Sequence, residues 1–559
     1  MVDFDDKKQQ GRIDDLKKKE EEDVAKILAG RYGVGYLDLT PIPINTDALR
    51  IVPEELAKET NTAVFQEVNK RIQIAVLSPR YEKTMALLQK LIDDGYFPTV
   101  FMVSKASLEK AWSRYKDLSY ASESRAGTFD ISDEQILILI DKIKKLGDVK
   151  REIDSLLGIK QTYKISKIME IMLAGALSLS ASDIHIEPEE TYVKMRYRLD
   201  GVLVDVIELS NENYNLILSR IKLLSGLKLN VNEEAQDGRF SVKIKDNNIE
   251  IRTSVLPGNY NESIVMRLLN PKTIAVPLED LGIHPRTLSA LITQIERPEG
   301  MLLITGPTGS GKTTTLYAFL KKIISSEIKV ITIEDPIEYH LDGVVQTQVE
   351  NDKGYTFLSG LRSALRQDPD VIMVGEIRDS ETADTAIDAA NTGHLVFSTL
   401  HANSASGAFP RLIGLGVNPK IISSAINVAM AQRLVRKLCV SCKKEKLLSK
   451  EEKITFERII SEITDPSYIS GIQREKVWEA VGCEKCHAGY KGRIAVCEII
   501  LMNKKVEEAI VNNPSEREVK DASLEQNFLD MKQDGIIKIL QSVTSLDELK
   551  RVIDLEEKQ

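Results

Sequence analysis

The segment Gly306-Pro307-Thr308-Gly309-Ser310-Gly311-Lys312-Thr313-Thr314 restricts the fold of this chain more than any other. It reads G-x-x-x-x-G-K-T between an apolar run, Met301 to Thr305, and a helix-compatible run that starts at Thr314. A glycine loop between a buried strand and a helix aims backbone N–H groups and a helix N-terminus at one point, which suits a polyphosphate. Lys312 is expected to reach the β/γ-phosphates, and the Thr313 hydroxyl to hold Mg²⁺. The alternative is a Gly-rich turn ending in a surface lysine, and the flanking strand and helix weigh against it. The motif implies a nucleoside triphosphate site in a parallel α/β domain.

The chain has 559 residues, enough for roughly three to five domains. Lys+Arg of 75 against Asp+Glu of 84 leaves a charge of −9, so the chain as a whole lacks the basic footprint of a nucleic-acid binder. No apolar run approaches the roughly 20 residues of a membrane span, and the first residues lack a signal-peptide apolar core. A cytoplasmic protein that reaches a membrane only through a partner is expected.

Five cysteines sharpen this. Cys439-x-x-Cys442 and Cys483-x-x-Cys486 form two knuckles separated by residues 443–482, and Cys497 stands apart. In a reducing compartment two such knuckles read as a structural tetrathiolate Zn²⁺ site, with redox dithiols as the alternative. The long separation favours a small inserted subdomain. His487 is not expected to be a ligand, since four thiolates fill a tetrahedron.

The expected organisation follows texture. Residues 1–25 are almost all charged or polar and read as a frayed or disordered tail. Residues 26–118 read as an α/β domain, with Ile72, Ile74 and Val76 alternating as on a strand and Met85, Leu88 and Ile92 at helical spacing. A polar stretch opens a linker over 119–150. Residues 151–275 read as an arginine-bearing half-domain. In it Ile165, Ile168, Met169, Met172 and Ala176 share a helix face, and Val193, Met195, Tyr197 and Leu199 share a strand face opposite Arg196 and Arg198. Arg252 faces outward on the strand around 249–255. Residues 276–436 read as the nucleotide domain, 437–497 as the metal subdomain and 498–559 as a helical end, with Ser545-x-x-Glu548 as a capping box.

Three segments downstream of the loop carry polar groups at strand ends. They are Ile331-Thr-Ile-Glu334-Asp335-Pro-Ile-Glu338, then Asp370-Val-Ile-Met-Val-Gly375-Glu376-Ile-Arg378, then His394-Leu-Val-Phe-Ser-Thr399-Leu-His401. Parallel strands bring their C-terminal ends together beside the phosphate loop. Acids there can hold Mg²⁺ or orient water, and histidines can sense the γ-phosphate. One such acid alone would read as a cap or solvated turn.

In this order the segments resemble the assembly ATPases of the type II/type IV secretion superfamily, with a phosphate loop, Asp box, Walker B strand and His box. Ala181-Ser-Asp183-Ile-His185-Ile-Glu187-Pro, Arg196-Tyr-Arg198-Leu-Asp200-Gly and Gln236-Asp-Gly-Arg239 look like that family's N-terminal half-domain. The tetracysteine module matches the extension and secretion branches, the type IV pilus extension ATPases first and the type II secretion ATPases second. The resemblance implies a RecA-like P-loop core preceded by a PAS-like α/β half-domain. It also implies a homohexamer that hydrolyses ATP and drives an inner-membrane platform protein.

It further implies roles for particular residues. Glu376 is the first choice for polarising water or metal, followed by Glu338 and Glu334. Arg239, Arg252 and Arg267 would contact the γ-phosphate across a domain or subunit gap, and His401 would act beside them. Asp335 and His394 would help hold the nucleotide. Asn261-Glu262 stands where the family often has Gly-Glu. The segment Arg31-Tyr-Gly-Val-Gly-Tyr matches a cyclic di-GMP motif poorly, so no second-messenger site is assigned. A RecA-like DNA translocase remains the rival from another class, but the acidic balance and 5% aromatic content suit it badly.

Overall fold

The computed structural model describes residues 21–39, 42, 44–49, 51–68, 70–117, 128–129, 133–157, 164–244, 247–270 and 276–556. Residues 21–32 are helical with Ala25 and Ala29 buried, so the charged tail read as 1–25 gives way to helix before residue 25. Residues 1–20 lie outside the described residues.

The N-terminal unit is a four-stranded sheet in the order Gly35–Tyr36, Phe97–Met102, Arg71–Val76, Thr62–Val68. Ile72, Ile74 and Val76 bury against its helices, following the alternation. The helix Glu82–Asp93 also forms, but it buries Thr84, Leu87 and Leu91, whereas Met85 and Ile92 are exposed. Both triplets share the i, i+3, i+7 spacing, so periodicity alone could not choose between stripes one position apart.

The half-domain is built on a seven-stranded sheet whose central strands are antiparallel. Val193, Met195, Tyr197 and Leu199 line its buried face as the alternation dictates. The helix Lys164–Ser178 packs there so closely that a Cβ on Gly175 would lie 2.7 Å from Val149 Cγ2 and 3.0 Å from the Tyr197 hydroxyl. Much of the stretch read as a linker belongs to this core. Helices Asp133–Lys142 and Leu146–Leu157 bury Ile136, Val149 and Ile153 against Lys164–Ser178. Apolar helical spacing over 136–153 outweighs the polar residues that precede it.

The nucleotide domain is a second seven-stranded sheet. Its order is Val344–Gln348, Val330–Glu334, Val371–Val374, Leu395–Leu400, Gly300–Thr305, Ile426–Leu438, Tyr490–Leu501. All neighbours are parallel except the last pair, which runs antiparallel. Gly300–Thr305, Val330–Glu334, Val371–Val374 and Leu395–Leu400 are buried at every position, as expected of strands covered on both faces. The metal subdomain therefore ends before residue 490. Tyr490–Leu501, read as part of it up to residue 497 and as the start of the helical end beyond, returns to the edge of this sheet, and Cys497 is buried in that core.

Helices Lys504–Asn512, Glu516–Ser523, Met531–Leu540 and Leu546–Val552 complete the chain. At the last, only half of the expected capping box forms. Ser545 accepts from the Glu548 N–H at 3.2 Å, but the Glu548 carboxylate turns to Arg436 and Arg551.

Candidate active site

The phosphate loop takes its shape from three glycines with positive φ, Gly306 (148°), Gly309 (79°) and Gly311 (86°). A Cβ on Gly306 would lie 2.6 Å from both the Gln432 carbonyl and Ser310 Oγ, so no other residue fits there. Gln432, on the adjoining strand, braces the loop. Its Nε2 donates to the Ser310 carbonyl at 2.8 Å, and its Oε1 accepts from Thr315 Oγ1 at 2.8 Å. Gly311 precedes the helix Lys312–Ile323, whose free N–H groups open onto the loop. Lys312 Nζ donates to the carbonyls of Gly306 (2.9 Å) and Pro307 (3.2 Å). Burial pulls its pKa below the usual lysine value despite nearby Glu376. Backbone donors, the half-buried Lys312 ammonium and the Thr313 hydroxyl form a donor set that fits a polyphosphate with its divalent cation.

A cleft of about 980 Å³ runs along the C-terminal edge of the sheet at this loop. On one side stand the acids. Glu376, after the strand Val371–Val374, bonds Arg378 at 2.5 Å and has its Oε2 3.4 Å from His401 Nε2. Asp335 lies 4.0 Å from Arg378. Glu334 also lines the cleft, yet it is tied internally by Thr332 (2.6 Å), Gln346 (3.0 Å) and the Tyr317 hydroxyl. Glu338 is half-buried. Burial lifts its carboxyl above the ordinary range, and Arg252 and Arg267 oppose that rise.

The half-domain supplies the facing wall. Pairing across its sheet sets Arg239, Arg252, Arg267, Asp183 and Arg198 in one row. Asp183, itself buried, holds Arg267 Nε at 3.0 Å and Arg198 Nε at 3.2 Å. Arg252 reaches out of the half-domain and donates to the Ile337 carbonyl at 3.0 Å, beside Glu338. Arg252, Arg267 and Arg198 line the cleft, while Arg239, at the end of the row, is exposed and outside its lining.

His394 is not at the site. It precedes Leu395–Leu400, so it sits at the opposite end of a strand roughly 20 Å long, where Nδ1 and N–H meet the Ala389 carbonyl. Only the histidine after the strand, His401, shares the edge with the loop. Arg198, Arg378, Arg433 and Gln432 at the site were not among the sequence candidates. Asp183 opposite two arginines in register was the available signal for Arg198, and nothing local distinguished Gln432.

Comparison with known proteins is decisive for this architecture. The model of the type II/IV secretion system protein family matches residues 159–551. The chain belongs to that family. Type II secretion system protein E of Dickeya dadantii is 38% identical over 91% of this chain and 98% of its own. The type IV pilus assembly ATPase PilB of Myxococcus xanthus is 33% identical over 95% and 91%. The solved ATPase DotB of Legionella pneumophila superposes with a TM-score of 0.50 at 25% identity, covering 69% of this chain and 95% of its own. Members of this family hydrolyse ATP, and the fold here is the expected α/β multidomain one around an ATPase core. A second model, the MshEN domain, matches residues 32–122, the N-terminal unit that the sequence had left without a family.

The four knuckle cysteines converge away from the cleft. Their sulfurs lie within 4.8 Å of one another, with Cys439–Cys483 at 3.9 Å and Cys442–Cys486 and Cys483–Cys486 at 3.6 Å. Zn–S bonds of about 2.3 Å would set tetrahedral S–S edges of about 3.8 Å, so the thiols fit that ion. His487 is not part of the cluster; it bridges to Tyr490 through its backbone.

Among the described residues no helix is long and apolar enough to cross a membrane.

Proposed function

We propose that this chain is a cytoplasmic homohexameric ATPase that powers type IV pilus assembly through an inner-membrane platform protein. The observation that carries the reading is the cleft itself, where a phosphate loop and the Glu376 edge face an arginine row from another domain. Relatives named for pilus assembly align over 95% of the chain, which supports the pilus branch. The higher identity to a type II secretion protein favours secretion as the second reading.

In this mechanism Lys312 and the loop N–H groups bind the β/γ-phosphates. Glu376 accepts a proton from the attacking water at a carboxylate oxygen, with His401 and Arg378 fixing its orientation. Arg252, Arg267 and Arg198 neutralise charge that develops as the γ-phosphoryl transfers, and planar guanidinium groups suit that task. Thr313 and the nearby acids would hold Mg²⁺, which supplies charge neutralisation on the phosphate oxygens. Cys439, Cys442, Cys483 and Cys486 would hold a structural Zn²⁺. Arg239, outside its own cleft, serves a neighbouring protomer in this reading.

Domain closure on ATP follows because a ligand bound by both walls stabilises the closed arrangement. The test mixes Arg239→Ala with Glu376→Gln, each inactive alone, and measures ATP hydrolysis in mixed rings verified by native mass measurement. Recovered hydrolysis is expected, and its absence would remove the trans role. In cells, loss of surface pili rather than of exported protein on Glu376→Gln selects the pilus branch.

A further inference from the structure

The two walls of the cleft belong to different domains, and hydrogen bonds on both sides of Gly300–Thr305 in the sheet order tie them together. On the acid side Arg252 donates to the Ile337 carbonyl at 3.0 Å. On the other side the Gly492 N–H donates to an Asp200 carboxylate oxygen at 2.9 Å, across 292 positions of chain. Gly492 can donate there because the strand pairing is interrupted. Arg436 pairs with Arg493 and Leu438 with Tyr490, so residues 491 and 492 oppose Lys437 alone. This is a β-bulge, with Gly492 at φ 77°, and it takes the Gly492 N–H out of the ladder. Asp200 supplies the acceptor that the partner strand lacks.

Asp200 and Gly201, at φ 48° and 85°, form the two-residue turn between Val193–Leu199 and Val202–Leu209, where Asp-Gly is a preferred pair. The turn accounts for the residue type but not for the reach to Gly492. Both turn residues line the cleft. Arg198 stands two residues before Asp200, with a guanidinium nitrogen 3.5 Å from the Gly201 carbonyl and Nε 3.2 Å from Asp183. Whatever fixes the turn therefore fixes one end of the arginine row. A 3.6 Å ion pair of Lys145 with Glu484 lands on the same segment of the ATPase side, but both groups are exposed and it contributes little.

We propose that Asp200 is a positioning residue for hydrolysis: its carboxylate latches the half-domain onto the bulge at Gly492 and so holds Arg198 and the arginine row in place over the phosphate loop. Asp200 touches no phosphate in this role. It acts on the rate because guanidinium groups aimed at developing charge are effective only when held in place beforehand. The bulge lies four residues beyond Cys486 plus the turn Ala488-Gly489, so the strand leaving the tetrathiol module carries the half-domain's seat. This rests on the reading of the arginine row as the wall that meets the γ-phosphate.

Steady-state ATP hydrolysis and hydrogen exchange of the full chain test this with Asp200→Gly and Asp200→Asn. Both replacements accept the positive φ of the turn, but only asparagine keeps an acceptor oxygen. Asp200→Gly should lower kcat about tenfold, the order of one lost charge-assisted hydrogen bond. It should leave KM for ATP unchanged, since the phosphate loop is intact, and speed exchange of the amides at 490–493. Asp200→Asn should restore most of the rate and the protection. Unchanged exchange in Asp200→Gly, or an equal loss of kcat in Asp200→Asn, would overturn the positioning role. So would an unchanged kcat in Asp200→Gly where Arg252→Ala loses hydrolysis. If Arg252→Ala keeps its kcat as well, the arginine reading fails rather than the latch, which the exchange at 490–493 reports by itself.

Discussion

The nucleotide cleft and the tetrathiol module solve the problem of assembling a site in opposite ways. The module draws its four sulfurs from two short knuckles, each closed within four residues, so the chemistry is nearly complete in the local sequence. The cleft draws its walls from the phosphate loop, three strand ends, a separate half-domain and the C-terminal helix. A site closed by local turns is legible residue by residue. One closed by distant elements is legible only where a strand end or loop carries its own signature. The same contrast predicts how each fails, since losing a thiol should damage a region and losing a cleft side chain should damage a rate.

The largest expected effect tests the cleft. Lys312→Ala removes the one lysine of the loop and should cut ATP hydrolysis more than about 100-fold while the thermal unfolding midpoint moves little. A mutant that lost its fold instead would erase the distinction. Next, Cys442→Ser or chelation should abolish metal content, expected at one Zn²⁺ per chain, and expose residues 439–489 to protease. The strands Ile426–Leu438 and Tyr490–Leu501 should stay protected in the ATPase sheet, which hydrogen exchange would read directly. Cys497→Ser should leave metal content unchanged, because that thiol is buried in the sheet's core.

The smallest effect concerns Glu338. Burial raises its folded carboxyl pKa above the unfolded value. Its contribution to stability is therefore full at low pH and is lost as pH rises through the unfolded pKa toward the folded one. Glu338→Gln should raise the unfolding midpoint by about 1–2 °C near pH 7.5 and not at all near pH 4. A gain at both pH values would mean that packing, rather than ionisation, sets the difference.

Much of the site was visible beforehand for definite reasons. Gly306 to Thr314 carries its own backbone geometry, and Glu376, Asp335 and His401 follow buried strands whose ends must converge on it. His394 was misplaced because a histidine before a strand and one after it look equivalent in sequence, although the strand holds them at opposite edges. Glu334 ends the right strand, but Tyr317, Thr332 and Gln346 tie its carboxylate inward. Arg239, Arg252 and Arg267 alternate correctly on their strands, yet only sheet register shows that they share one row and that Asp183 sets two of its guanidiniums.

By itself the sequence determined the fold class, the phosphate loop, the thiol quartet and the strands that deliver acids, because each depends on spacing within one segment. Tertiary structure alone decided that residues 133–157 join the half-domain, that Tyr490–Leu501 closes the ATPase sheet and that Gln432 braces the loop. It alone brought Arg551, held by the buried Glu548, to the cleft. Those outcomes depend on which apolar faces meet and which strands pair, and contacts between residues in different elements, from tens to more than a hundred positions apart, leave no local periodicity to read.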